Sequence, residues 1–118
     1  MLHGSRHVGA RLIQRLSKLR NVTVVWGSQA TAESIQLVAE LKPGVVIIDV
    51  EMSDRTGIKV LQRVKGFAFS PAVIMTASLP NPHYRRECIK EGANYFFCLP
   101  DEIGDLYRVV NQLAESGK

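Results

Sequence analysis

The sequence predicts an open α/β fold, a parallel β-sheet with helices on both faces, and three observations carry that expectation. Val45-Val46-Ile47-Ile48 is an unbroken apolar, β-branched run, the pattern of a strand covered on both sides rather than one. Helical and strand-like segments alternate along the whole chain, with no tight turn joining two strands as a hairpin. That alternation calls for crossover connections, and so for parallel pairing. Finally, the buried run ends at Asp49, so a carboxylate stands at the carboxyl end of a central strand. In open α/β sheets this is where ligands and chemistry gather. Asp also starts turns and caps helices, which is the alternative account of Asp49.

Each element has its own signal. Residues 6 to 19 place Val8, Leu12, Ile13, Leu16 and Leu19 on one stripe, predicting a first helix. Val22 to Trp26 is a short β-rich run closed by Gly27. Thr31 and Ser34 open a second helix through Ile35, Val38, Ala39 and Leu41, stopped by Pro43-Gly44. After the strand ending at Asp49 comes a loop, then a third helix over 57–64 with Ile58, Val60, Leu61 and Val64 inward. Pro71 introduces the strand 72–76. Asn81-Pro82 begins a fourth helix, with proline well placed in a first turn, and Gly92 ends it. Residues 94–98 form an aromatic strand. Asp101 is expected to cap a last helix through Leu106, Val109, Val110 and Leu113.

Composition narrows the class of function. The 118 residues suffice for one domain with a real core, and 46% hydrophobic against 22% charged is the balance of a globular chain, not a disordered one. No apolar run reaches membrane-spanning length and no signal-peptide core is present, so the cytoplasm is the expected setting. Cys88 and Cys98 fit no metal-ligand spacing and are expected to be small buried hydrophobes. The net charge is +4 with a pI near 9.3. Arg6, Arg11, Arg15, Lys18 and Arg20 flank the first apolar stripe without interleaved aromatics, as on a solvated helix face, so nucleic acid is not an expected partner.

Taken in order, the signals resemble a response-regulator receiver domain, the phosphorylation module of two-component signalling, in its chemotaxis-receiver-like form. Asp49 followed by Met52 and Gly57 is similar to that family's phospho-acceptor segment, with Ser53 where a proline is usual. Thr76, closing Val73-Ile74-Met75-Thr76-Ala77, matches the phosphate-contacting hydroxyl. Gly92-Ala93-Asn94-Tyr95-Phe96-Phe97 resembles the segment leading into the last strand. The resemblance covers nearly the whole chain and implies a flavodoxin-like parallel sheet, with Asp49 as phospho-acceptor. It further implies Thr76 with Tyr95 or Phe96 as the phosphate-contact and switch pair, and Mg²⁺ at Asp49 and the backbone carbonyl of Glu51. A histidine kinase or another signalling protein is the implied partner, and the face of the fourth helix, last strand and last helix, with Tyr84, Arg85, Arg86, Tyr107 and Arg108, is the implied docking side.

Two departures change the expectation. No acidic pair precedes the first helix, which opens Met1-Leu2-His3-Gly4-Ser5-Arg6, and His3 and His7 are poor ligands for a cation that prefers oxygen. Leu99 stands where the family carries a lysine. In-line attack of a carboxylate on a phosphoryl group crowds negative charge that a metal and a cation must neutralise. The expected function is therefore a pseudo-receiver: an interaction module and not an enzyme, impaired in Asp49 phosphorylation, with at most weak Mg²⁺ binding. The alternative is a working phospho-acceptor whose strand and acids lie upstream of Met1.

The first strand of such a fold normally lies between the second and third. Its absence would leave buried backbone groups unpaired at about 1–3 kcal/mol each. Three outcomes satisfy those groups: the two flanking strands close on each other, another chain fills or covers the gap, or a longer protein supplies the strand. A homodimer or a rearranged sheet is expected, with Trp26 a candidate to fill part of the space.

Overall fold

The computed structural model describes residues 14–16, 18, 19, 21–26, 32–50, 55–77, 82–99 and 101–116. One turn of helix at 14–16 precedes strand β1 (Val22–Trp26), helix α1 (Ala32–Leu41), β2 (Val45–Val50), α2 (Arg55–Lys65), β3 (Ala72–Ala77), α3 (Pro82–Lys90), β4 (Tyr95–Cys98) and α4 (Ile103–Ser116). From Val22 onward the described residues show the alternation expected from the sequence, with boundaries shifted by a residue or two, while most of the first helix expected over 6–19 lies outside them. The last helix starts at Ile103, two residues beyond Asp101. At that end Glu102 instead reaches back, its Oε1 accepting a hydrogen bond of 2.7 Å from the Cys98 amide.

The four strands form one parallel sheet in the order β1-β2-β3-β4. Of the ways to satisfy the expected gap, this is the first: β1 pairs directly with β2, Val22 opposite Val45 through Trp26 opposite Asp49. The backbone groups that would otherwise go unpaired find one another. The side chain of Trp26, expected to help fill the space, lies outside the described part of the structure.

This strand order decides which helix covers which face. Right-handed crossovers that always step the same way deposit every connecting helix on one side of the sheet. Accordingly Val38 of α1, Ile58, Leu61 and Val64 of α2, and Cys88 of α3 pack with Val46, Ile48, Val73 and Met75. The opposite face, Val45, Ile47 and Ile74, is covered by Leu106, Val109 and Val110 of α4 and by Leu16. Leu19 packs against the same cluster, so the two described members of the first apolar stripe point as expected. Val8, Leu12 and Ile13 lie outside the described residues.

The end of the sheet remote from Asp49 is tied by left-handed backbone and by side-chain hydrogen bonds of two asparagines. Asn21, at φ 73°, accepts through Oδ1 a 2.7 Å bond from the Gly44 amide and through its carbonyl a 3.0 Å bond from Val45. A β-carbon at Gly44 would collide with the Asn21 Nδ2, so a side chain there would have to displace the Asn21 amide from its bond to the Gly44 backbone. At the end of α3, Gly92 at φ 112° lets its own amide bond the carbonyl of Ile89 and the Ala93 amide bond that of Cys88, the paired closure that caps a helix and redirects the chain. Asn94 Oδ1 then accepts from the Val73 amide at 2.9 Å and from Lys65 Nζ at 3.1 Å, binding β3, β4 and α2 together.

Candidate functional site: the Asp49–Thr76 row

Parallel register sets four residues side by side near the carboxyl ends of the strands: Trp26, Asp49, Thr76 and Phe97. Strand alternation sends the side chains of Asp49, Thr76 and Phe97 to the α4 face, since Ile47, Ile74 and Phe97 belong to that core. Asp49 and Thr76 meet there: the Thr76 hydroxyl donates to Asp49 Oδ1 at 2.7 Å. Thr76 is fully buried and Asp49 half-buried, so the carboxylate keeps a path to water while its partner does not. A hydroxyl-to-carboxylate bond of this length is charge-assisted and stronger than a neutral one.

The other side of the row is apolar. Phe97 is buried, and beyond it the Leu99 amide donates to the Ala77 carbonyl at 2.7 Å, which continues the β3–β4 ladder past the strand end. The Leu99 side chain is 3% exposed and packed in the α4-side core. Where the resemblance leads one to look for a cation, the chain has a core leucine.

The two aromatic switch candidates part company. Tyr95 shares a face with Phe97 and stacks on it, centroids 5.9 Å apart and planes 10° apart, with 38% of its surface exposed. Phe96 points to the opposite face, where it meets Tyr84 edge-on at 6.1 Å and 74°. Neither is the register neighbour of Thr76, which is Phe97. That residue was missed as a site neighbour, although counting alternate positions outward from Thr76 and Leu99 would have reached it. Tyr84, expected on the exposed docking face, is buried with Phe96 and cannot anchor a partner. Tyr107 is half-buried, while Arg108 is exposed and paired with Asp105 at 2.7 Å.

Cys88 fits the expected role of a small core residue: it is fully buried, and burial pushes its thiol up to about 11 against a hydrogen bond from Tyr84 that lowers it. Cys98 departs from that expectation, being half-buried, and its thiol is raised by burial and then by the nearby Asp101 and Glu102 carboxylates. Both are free thiols.

Among the described residues, no group of three His, Cys, Asp or Glu side chains is placed to hold a metal ion. Asp49 is the carboxylate that the strand-end row supplies, and one such ligand is a thin donor set for Mg²⁺. Glu51, along with His3, His7, Met52 and Ser53, lies outside the described residues.

A parallel sheet with helices on both faces and an acid–hydroxyl pair at the carboxyl ends of adjacent central strands defines a receiver-type signalling domain. Comparison with known sequences agrees: the profile of the response regulator receiver domain matches residues 6–111, and the chain belongs to that family. It is 26% identical over 108 residues to the DNA-binding transcriptional activator EvgA of Escherichia coli K12, covering 86% of this chain and 52% of the activator. It is 28% identical over 95 residues to the uncharacterized transcriptional regulatory protein YvfU of Bacillus subtilis, covering 80% and 48%. The chain thus spans about half the length of these relatives, but 87% of the chemotaxis protein CheY of Listeria monocytogenes, to which it is 25% identical across 91% of its own length. Among solved structures, a signal receiver domain from Vibrio parahaemolyticus superposes with a TM-score of 0.64 at 18% identity, covering 83% of this chain and 92% of that one. The phosphorylated cyanobacterial phytochrome response regulator RcpA does so with 0.59 at 18%, covering 94% and 86%.

Proposed function

We propose that this chain is a receiver module of two-component signalling that transmits through protein contacts and accepts phosphate at Asp49 poorly. The observation that carries the reading is the asymmetry of the Asp49 row. A neutral hydroxyl donates to the carboxylate on one side, and the row then runs into Phe97 and the buried Leu99. A hydroxyl contributes a hydrogen bond but no positive charge, while a phosphorylated aspartate adds negative charge that needs a cation or metal beside it. With so thin a donor set Mg²⁺ binds weakly, and the module is no enzyme in its own right. Its setting is the cytoplasm and its partners are a histidine kinase or another signalling protein, with a second copy of itself in a homodimer. No described helix is long and apolar enough to cross a membrane.

Intact-mass measurement after incubation with acetyl phosphate and Mg²⁺ tests this. Mostly unmodified protein is expected. Efficient, Mg²⁺-dependent modification abolished by Asp49→Asn refutes it. A second reading, a working phospho-acceptor, draws support from the alignment of Asp49 with Thr76 in adjacent strands. It requires acids supplied from upstream of Met1, so a longer coding region that restores modification in the same assay favours it.

A further inference from the structure

We infer that a second copy of this chain docks along the β1 edge of the sheet, β1 pairing antiparallel with its own copy while the outer flanks of the two α1 helices close over the seam. The inference rests on the self-association proposed above and names the surface that carries it. β1 stands at the end of the row β1-β2-β3-β4, bonded as a strand to β2 alone among the described residues. An edge strand presents a line of backbone donors and acceptors, which proteins usually guard with a charge, a proline or a bulge. The five residues from Val22 to Trp26 include neither charge nor proline. At the opposite edge β4 has only four residues, with Pro100 two positions on.

The helix above adds an apolar lip to the same edge. A crossover helix lies over the strands it joins, so α1 covers β1 and β2, with α2 beside it on the β3 side. Around α1, Val38 is buried against the sheet; the helical repeat puts Ile35 and Ala39 on one flank of it and Leu37 and Leu41 on the other. Ile35 packs into the core shared with α2 and Ala39 is half-buried, whereas Leu37 and Leu41 are 48% and 58% exposed. The half-buried flank is therefore the one against α2, and the two leucines overhang β1.

Geometry and charge select a second copy. A two-fold axis normal to the sheet beside the middle of β1 pairs the strand antiparallel with itself and leaves both α1 helices antiparallel on one face. With strands about 4.8 Å apart and α1 centred between β1 and β2, the two helix axes fall about 10 Å apart, a helix-contact distance. Five residues of strand and ten of helix each run about 15 Å, so an axis level with Val24 is also level with Leu37. Glu33 lies in the first turn of α1 and Lys42 just past its end, both exposed. The antiparallel arrangement brings Glu33 of each copy to the end of the helix where Lys42 of the other stands, so both charges are matched twice. The remaining acid of α1, Glu40, accepts a 3.3 Å bond from Gln36. A strand from another protein satisfies the backbone edge, but only a second copy is bound by symmetry to mirror both charges and both leucines.

Sedimentation velocity over a concentration series, joined to bismaleimide cross-linking, tests this on the full chain. Leu37→Cys in a Cys98→Ser background should give a covalent dimer, and Ile89→Cys on α3 in the same background should not. Leu37→Glu combined with Leu41→Glu should raise the dimer dissociation constant roughly tenfold or more, with Leu37→Ser as the milder variant in the same direction. Glu33→Lys should weaken the dimer several-fold, and adding Lys42→Glu should restore it. Amide exchange in β1 should slow as the dimer forms. All of the substituted α1 positions are exposed, and circular dichroism checks that each variant keeps the fold. A dimer that cross-links through Ile89→Cys but not Leu37→Cys, that ignores the leucine variants, or that the paired charge swap fails to rescue overturns this surface and leaves self-association standing. A monomer at every concentration overturns self-association and this surface with it. Phosphorylation of Asp49 is read by mass in a separate assay, so poor or efficient modification bears on neither result.

Discussion

Replacing Thr76 by valine removes the hydrogen bond that joins the two central strands in the strand-end row. The swap keeps volume and β-branching, so it opens no cavity. It removes the hydroxyl that donates to Asp49 Oδ1 at 2.7 Å. Hydrogen bonds to charged groups contribute about 1.5–3 kcal/mol. The half-exposed Asp49 recovers part of this from water, and a buried methyl in place of a hydroxyl offsets a little more, which leaves a net loss of about 1.5–2 kcal/mol. For 118 residues the unfolding entropy near the midpoint is about 250 cal/mol/K. The melting temperature should therefore fall by about 6–8 °C. A double-mutant cycle with Asp49→Ala, followed by urea or thermal unfolding, should return a coupling of about 1–2 kcal/mol. Asp49→Asn retains an acceptor but not the charge, and should give roughly half of that. Additive single and double variants, or a Thr76→Val cost below about 0.5 kcal/mol, would refute the view that this bond organises the site.

Leu99→Ala, measured by urea unfolding, should cost about 2–4 kcal/mol, because the side chain is core rather than a degenerate site residue. Gly92→Ala forces a β-carbon onto a backbone at φ 112° and should lower stability by about 1–2 kcal/mol or more in the same assay. Cys88 should resist a thiol reagent in the native state while Cys98 reacts first. Since burial raises the Cys88 thiol to about 11 from an unfolded value of 9.0, the folded state holds its proton longer. The stability tied to that thiol is thus full below pH 9 and is lost as pH rises toward 11, and a Cys88→Ala comparison of denaturation midpoints across that window checks the sign. Light scattering at micromolar concentration should show a dimer; a monomer at all accessible concentrations would count against self-association.

The sequence by itself determined the element order and the two-sided cover of the sheet. Those properties are local or periodic: Val45 to Ile48 must be buried whatever their neighbours, and the stripes of α2 and α4 follow from a repeat that a single chain displays. It also placed Asp49 and Thr76 at strand ends, because a polar residue closing an apolar run marks where the sheet meets water. Which strands become neighbours is a different kind of property. Pairing depends on segments far apart in the chain competing for the same backbone groups, and only the folded sheet shows β1 closing on β2. Register likewise assigned Phe97, rather than Tyr95 or Phe96, as the neighbour of Thr76, since a one-residue slip would exchange the two faces. The burial of Tyr84 was beyond reach for the same reason: its inward turn follows from the position of Phe96 across the core.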